Sequence, residues 1–156
     1  VYRMRWSILT IASVLALAYV MNFSGQTIAM GTYLAGLGTV YAFLAPALGW
    51  IGTAVTGSDT SANALFSKLQ VSAAENLQQA GIHGATPELM LAANTTGGVV
   101  GKMISPQSLA IAATSVDMEG KESEILKAVL PWSFGMLVVV CILVFLQTNI
   151  LSFLVP

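Results

Sequence analysis

Of 156 residues, 56% are hydrophobic and only 8% are charged, where an ordinary soluble domain carries roughly a quarter charged residues. Lipid is therefore the expected solvent, and the reading is an all-α, polytopic membrane protein, a single transmembrane domain over residues 1–156. The formal net charge is -1 and no basic block occurs beyond Arg3 and Arg5, which leaves nothing to neutralise a run of phosphates and excludes nucleic acid as a partner.

No Lys, Arg, Asp or Glu lies between Trp6 and Ser58, a stretch long enough to cross a hydrocarbon core of about 30 Å at least twice as helix. A first span is predicted from Trp6 to Phe23, with Tyr2, Arg3, Arg5 and Trp6 as interfacial anchors. Arg3, Arg5 and Ala16-Leu17-Ala18 imitate a secretory signal peptide, but another apolar segment follows, so the run is assigned to a span. Because the first residue is Val, the chain is expected to be a fragment lacking its N-terminal part.

Asn22, Ser24, Gly25 and Gln26 then predict a turn, followed by a second span from Thr27 to Phe43. Its Gly31, Ala35, Gly36 and Gly38 are small enough to let a neighbouring backbone approach. From Pro46 the pattern changes: Ala47 to Val55 is apolar but too short to cross, and it ends at Thr56-Gly57-Ser58-Asp59-Thr60-Ser61. Ala62, Leu65, Leu69, Ala73, Leu77 and Ala80 recur near the helical period, with Lys68, Gln70, Ser72, Glu75 and Gln79 on other faces. Two short helices meeting at a polar tip make a re-entrant hairpin, tolerated at membrane depth only where protein covers the tip or a watery cavity receives it.

Gly81 to Pro87 is a connector in which His83 is given no role. An apolar helix starts at Glu88 and is expected to break at Thr95-Thr96-Gly97-Gly98 and Gly101-Lys102, before a short helix from Leu109 to Val116. Asp117 to Lys127 mixes acidic and basic residues into an aqueous loop. Pro131 and Trp132 are expected to open the last span, in an uncharged stretch from Ala128 to Pro156. The total is about three full spans, one re-entrant hairpin and one broken transmembrane helix.

Two polar islands follow from this layout, Thr56 to Asn63 and Asn94 to Ser108. Each sits where a helix starts or stops, so backbone N–H and C=O groups lack intrahelical partners. An N-terminal helix end suits a carboxylate, and C-terminal carbonyls suit a cation. Asp59 and Lys102 are the only charges inside the islands. A charge at mid-membrane costs at least roughly 2.5–3.5 kcal/mol and is usually paired or functional. Lys102 is read as a counter-charge for an anion, and Asp59 as a proton carrier or the partner of Lys102; the competing reading makes Lys102 a snorkelling residue and Asp59 a helix N-cap. Thr96 to Met103 resembles a phosphate-binding loop but lacks its first Gly and its closing Ser or Thr. A single His and a single Cys, Cys141, leave no metal cage or disulfide. No catalytic triad and no cofactor are indicated, and enzyme activity is not expected. A permanently open ion-conducting pore and a non-transporting membrane scaffold are the rival uses of the same helices.

The strings Gly57-Ser58-Asp59-Thr60-Ser61-Ala62-Asn63-Ala64-Leu65-Phe66 and Ala92-Ala93-Asn94-Thr95-Thr96-Gly97-Gly98-Val99-Val100-Gly101-Lys102-Met103-Ile104-Ser105-Pro106-Gln107-Ser108 closely resemble the bacterial L-lactate permease family. The resemblance extends to Leu15-Ala16-Leu17-Ala18-Tyr19-Val20-Met21-Asn22 and to Gly120-Lys121-Glu122-Ser123, and the chain looks like the C-terminal third of a member. It implies a multi-pass protein of the bacterial inner membrane that takes up L-lactate, or glycolate and related 2-hydroxy monocarboxylates, together with a proton. The family is also similar, more distantly, to ion-transporter folds built of inverted repeats. On that basis Ser58, Thr60, Asn63, Asn94, Thr95 and Thr96 are expected to contact the carboxylate, Lys102 to supply positive charge and Asp59 to couple the proton. The lipid bilayer and the N-terminal part of the same permease complete the set of expected partners.

Overall fold

The computed structural model describes residues 5–154, and among them all regular structure is helical. Seven α-helices run in order: α1 (Arg5–Phe23), α2 (Gln26–Ala35), α3 (Thr39–Thr56), α4 (Asp59–Gln79), α5 (Pro87–Lys102), α6 (Pro106–Ser115) and α7 (Glu122–Asn149), before a short 3-10 turn at Ser152–Leu154. α3 and α7 are each long and apolar enough to cross a bilayer, and α1 with α2 meets the same criterion as a pair bent by 72°. The anchors expected at Tyr2 and Arg3 lie outside the described residues, as do the side chains of Arg5 and Trp6.

The span predicted from Thr27 to Phe43 is two pieces. Gly36-Leu37-Gly38 turns the chain, and Gly38 at φ 60, ψ -138 adopts a conformation that L residues avoid. α3 then runs straight through Pro46, which was expected to mark a boundary. The proline forfeits its own bond to the Ala42 carbonyl, but its ring is fully buried and its carbonyl packs onto α5. The first arm of the α3–α4 hairpin is thus 18 residues, about 27 Å, not a short re-entrant piece.

The expected break inside 95–102 is absent: α5 is continuous from Pro87 to Lys102. Its glycines serve a neighbour instead. Pro46, Gly49, Trp50 and Thr53 of α3 and Asn94, Gly97, Gly98 and Gly101 of α5 share the spacing i, i+3, i+4, i+7, which places each set on one helix face. The two faces lie backbone against backbone. A Cβ at Gly49 would overlap the Asn94 carbonyl, one at Gly97 the Pro46 carbonyl and one at Gly101 the Trp50 carbonyl. The chain leaves the helix only at Met103-Ile104-Ser105, where Pro106 pushes Ser105 into an extended conformation at φ -68, ψ 143 and becomes the first residue of α6.

α7 starts at Glu122, within the segment expected as an aqueous loop, and Pro131 lies in its interior. At 28 residues it is about 42 Å long, which lets its charged first turns stand beyond a hydrocarbon core of about 30 Å. Its inner face is pinned by Ser133, which accepts from Trp50 Nε1 at 2.9 Å and donates to the Val100 carbonyl at 3.0 Å. Cys141 is buried there beside Val100 and Leu137, as a packing residue. The main core gathers small side chains, among them Ala42, Ala45, Ala73, Ala74 and Ala93, around Tyr41, Leu77 and Met90. α1, α2 and α7 turn large apolar side chains outward, including Tyr19, Tyr33, Trp132 and Val139.

Candidate functional site

The tip of the α3–α4 hairpin and the α5–α6 break are brought side by side. Gly57, at φ 70, ends α3 with its N–H on the Thr53 carbonyl, and Ser58 caps α4 by accepting from the Ser61 N–H at 3.3 Å. Lys102, the last residue of α5, donates from Nζ to the Gly57 carbonyl and, at 3.4 Å, to Gln107 Oε1. The ammonium thereby meets the negative end of the α3 dipole. Gln107 lies over the tip, 2.8 Å from where a Gly57 Cβ would stand. Ser105 closes the other side by donating to the Lys102 carbonyl at 2.9 Å and accepting from the Ser108 N–H at 3.4 Å.

Next to this junction runs a polar chain through the interior. Asp59, Asn63 and Gln70 are spaced i, i+4, i+11, which aligns them on one face of α4. Asp59 Oδ1 accepts from Thr53 Oγ1 at 3.4 Å, and Oδ2 accepts from Asn63 Nδ2 at 3.2 Å. Asn63 Oδ1 accepts from Asn94 Nδ2 at 2.7 Å and lies 3.2 Å from the Thr95 hydroxyl, which also reaches the Leu91 carbonyl. Asn94 Oδ1 accepts from Gln70 Nε2 at 3.2 Å, and Gln70 Oε1 accepts from the Tyr41 hydroxyl at 2.5 Å. Tyr41, Gln70, Asn94 and Thr53 are all buried. Among the described residues, no buried side-chain N or O lacks a partner, as buried polar groups require.

The structure therefore joins Asp59, Asn63, Asn94 and Thr95 in one network and sets Lys102 at the adjoining tip. Asp59 is the first residue of α4, and the cap is Ser58. The partners of Lys102 are Gly57 and Gln107, not Asp59. Thr60 and Thr96 stand apart from both. Thr60 lines a cavity of about 240 Å³ between the tip and Ile11, Val14 and Leu15 of α1. Thr96 donates to the Ala92 carbonyl and borders an apolar cavity of about 370 Å³ against α7. Gln70, Tyr41 and Thr53 are site residues that the sequence motifs do not mark. The helical period puts Gln70 off the apolar face of α4, yet it is fully buried; its register with Asp59 and Asn63 is the available signal. Among the described residues no group of three or more His, Cys, Asp or Glu could hold a metal ion.

Comparison with known proteins agrees with these motifs. The family model described as L-lactate permease matches residues 1–151. The L-lactate permease of Bacillus subtilis (strain 168) is 46% identical over 156 residues, 100% of this chain and 27% of the relative. The L-lactate permease of Salmonella typhi is 44% identical over 149 residues, 96% of this chain and 26% of the relative. The glycolate permease GlcA of Escherichia coli (strain K12) is 42% identical over the same shares. The chain thus spans nearer a quarter than a third of the length of these relatives. No solved structure matches. With the family model covering nearly the whole chain and apolar helices long enough to cross a bilayer, the chain belongs to the L-lactate permease family.

Proposed function

We propose that this chain is the C-terminal part of a longer secondary transporter that takes up L-lactate, glycolate or a related 2-hydroxy monocarboxylate across the bacterial inner membrane, coupled to a proton. The observation that carries this reading is the meeting of two helix interruptions at the Lys102–Gly57 contact, beside a half-buried carboxylate, Asp59, at the end of a polar chain that runs into the core. Irregular backbone at membrane depth needs protein or a watery cavity around it. The α3–α4 tip, with Gln107 laid over it, and the α5–α6 break suit that role, the latter as the break of a broken transmembrane helix.

On this reading Lys102, with the N-terminal ends of α4 and α6, attracts the substrate carboxylate. Asn63 and the exposed Thr95 offer amide and hydroxyl groups to the 2-hydroxy acid, with Asn94 behind them. Ser58 holds the start of α4. Thr60 and Thr96 flank the site on its α1 and α7 sides and reach the substrate when those helices shift. Asp59 carries the coupled proton. The names of the relatives, lactate permeases and a glycolate permease, support the substrate class.

The test is uptake of labelled lactate by the full-length permease. Asn94→Ala and Lys102→Ala are each expected to abolish uptake, and uptake left intact by both removes the site assignment. Asp59→Asn is expected to lose proton-driven accumulation while lactate exchange continues. Because every buried polar atom in the network is already satisfied, a non-transporting scaffold is the second reading. It predicts that lactate does not raise the unfolding temperature of the purified permease.

A further inference from the structure

The polar chain has a direction. Each carboxamide offers one accepting end and one donating end, and here every donor points toward Asp59. Gln70 Nε2 carries two N–H groups, one aimed at the Ala45 carbonyl at 3.0 Å and the other at Asn94 Oδ1. The Ala45 carbonyl can only accept, so Gln70 cannot turn its amide over without opposing two oxygens. The Tyr41 hydroxyl, which can either donate or accept, donates to Gln70 Oε1 in this orientation. With its oxygen committed to Gln70, Asn94 must present Nδ2 to Asn63. Asn63 must then receive on Oδ1 and present its own Nδ2 to Asp59.

We propose that Gln70 is a positioning residue that sets the direction of this amide chain, and so fixes which end of Asn63 faces Asp59 and which faces Asn94 and Thr95. The consequence for transport rests on the reading that Asn63 and Asp59 form the transport site. The chain direction itself is independent of that reading.

The direction predicts a specific rescue. Asn94→Asp places an acceptor where Nδ2 stood, so Asn63 must turn over to donate to it, and its carbonyl oxygen then opposes the Asp59 carboxylate. Asp59→Asn restores the match, because the new amide donates to the turned Asn63 and still accepts from Thr53. In the full-length permease, Asn94→Asp alone is expected to lower the unfolding temperature in detergent and to cut lactate exchange about tenfold, as coupled neighbours do. The double variant with Asp59→Asn recovers most of both losses. Additive effects, with the double variant no better than Asn94→Asp, overturn the proposal.

Gln70→Met, close in shape but without the donors, is expected to raise the lactate KM about tenfold when compared at matched amounts of folded protein; an unchanged KM overturns the positioning role. Recovery of the unfolding temperature reads the chain direction whatever the cargo. A permease that shows this recovery without exchanging lactate therefore sinks the transport reading and leaves the direction of the chain intact.

Discussion

Adding one carbon at Gly49 is expected to force α3 and α5 apart. A Cβ there would stand 2.7 Å from the Asn94 carbonyl carbon and 3.0 Å from its Cα, where non-bonded carbons rest at roughly 3.5–4.0 Å. The two backbones must therefore separate by roughly 1 Å, a gap that forfeits up to about half of each dispersion well along the seam. Overpacking costs about 1–3 kcal/mol, and because the obstacle here is backbone the upper end applies. Alanine's better helix propensity returns about 1 kcal/mol, for a net loss of about 2 kcal/mol. Gly135 provides the control: a Cβ there meets nothing within 4 Å, so Gly135→Ala keeps only the propensity gain. Thermal unfolding of the purified full-length permease should move in opposite directions for the two variants. A Gly49→Ala protein that melts at or above the wild-type temperature refutes the close seam.

Further substitutions at three residues probe the polar contacts. Tyr41→Phe removes the donor on Gln70 Oε1 and leaves a buried acceptor unsatisfied, an expected loss of about 1–3 kcal/mol in the same unfolding assay. Ser133→Ala strands the Trp50 indole N–H and unties α7 from α3 and α5, with a similar expected cost of about 1–3 kcal/mol, visible also as a change in Trp fluorescence. Lys102→Met takes the cation from the Gly57 carbonyl and is expected to lose most lactate uptake, whereas Lys102→Arg, which still reaches a carbonyl, retains part of it. Equal uptake in Lys102→Met and wild type removes Lys102 from the site.

The sequence was most legible where one residue type has one use. The helical period from Ala62 to Ala80 and the Gly-Ser-Asp tip translate directly into a helix and a turn, and the stretch free of charge from Trp6 to Ser58 into helices, though divided at Gly36-Leu37-Gly38 where one span was expected. Glycine and proline were harder, because their meaning depends on what lies opposite. Gly97, Gly98 and Gly101 read as a helix break in one dimension, yet against the α3 backbone they are the contact surface that keeps α5 continuous. Pro46 and Pro131 read as boundaries, yet both are carried inside helices. The two polar islands do lie together, joined directly by Asn94 on Asn63 and by Lys102 on Gly57, but the residue behind Asn94 is Gln70, whose burial depends on Tyr41 and Asn94 reaching it from α3 and α5. Spacing along α4 alone could place Gln70 beside Asn63 and Asp59; it could not show what stood on the other side.

The seam between α3 and α5 also limits how the molecule can move. Helices whose carbonyls rest directly on each other's glycines have no side-chain layer to slide across, so the pair behaves as one strut. Rotation is left to its ends, at Gly38 before α3 and at Met103-Ile104-Ser105 after α5. A transport cycle that opened this protein first to one side and then to the other would swing the strut whole, with Asn94 and Thr53 keeping a fixed separation throughout.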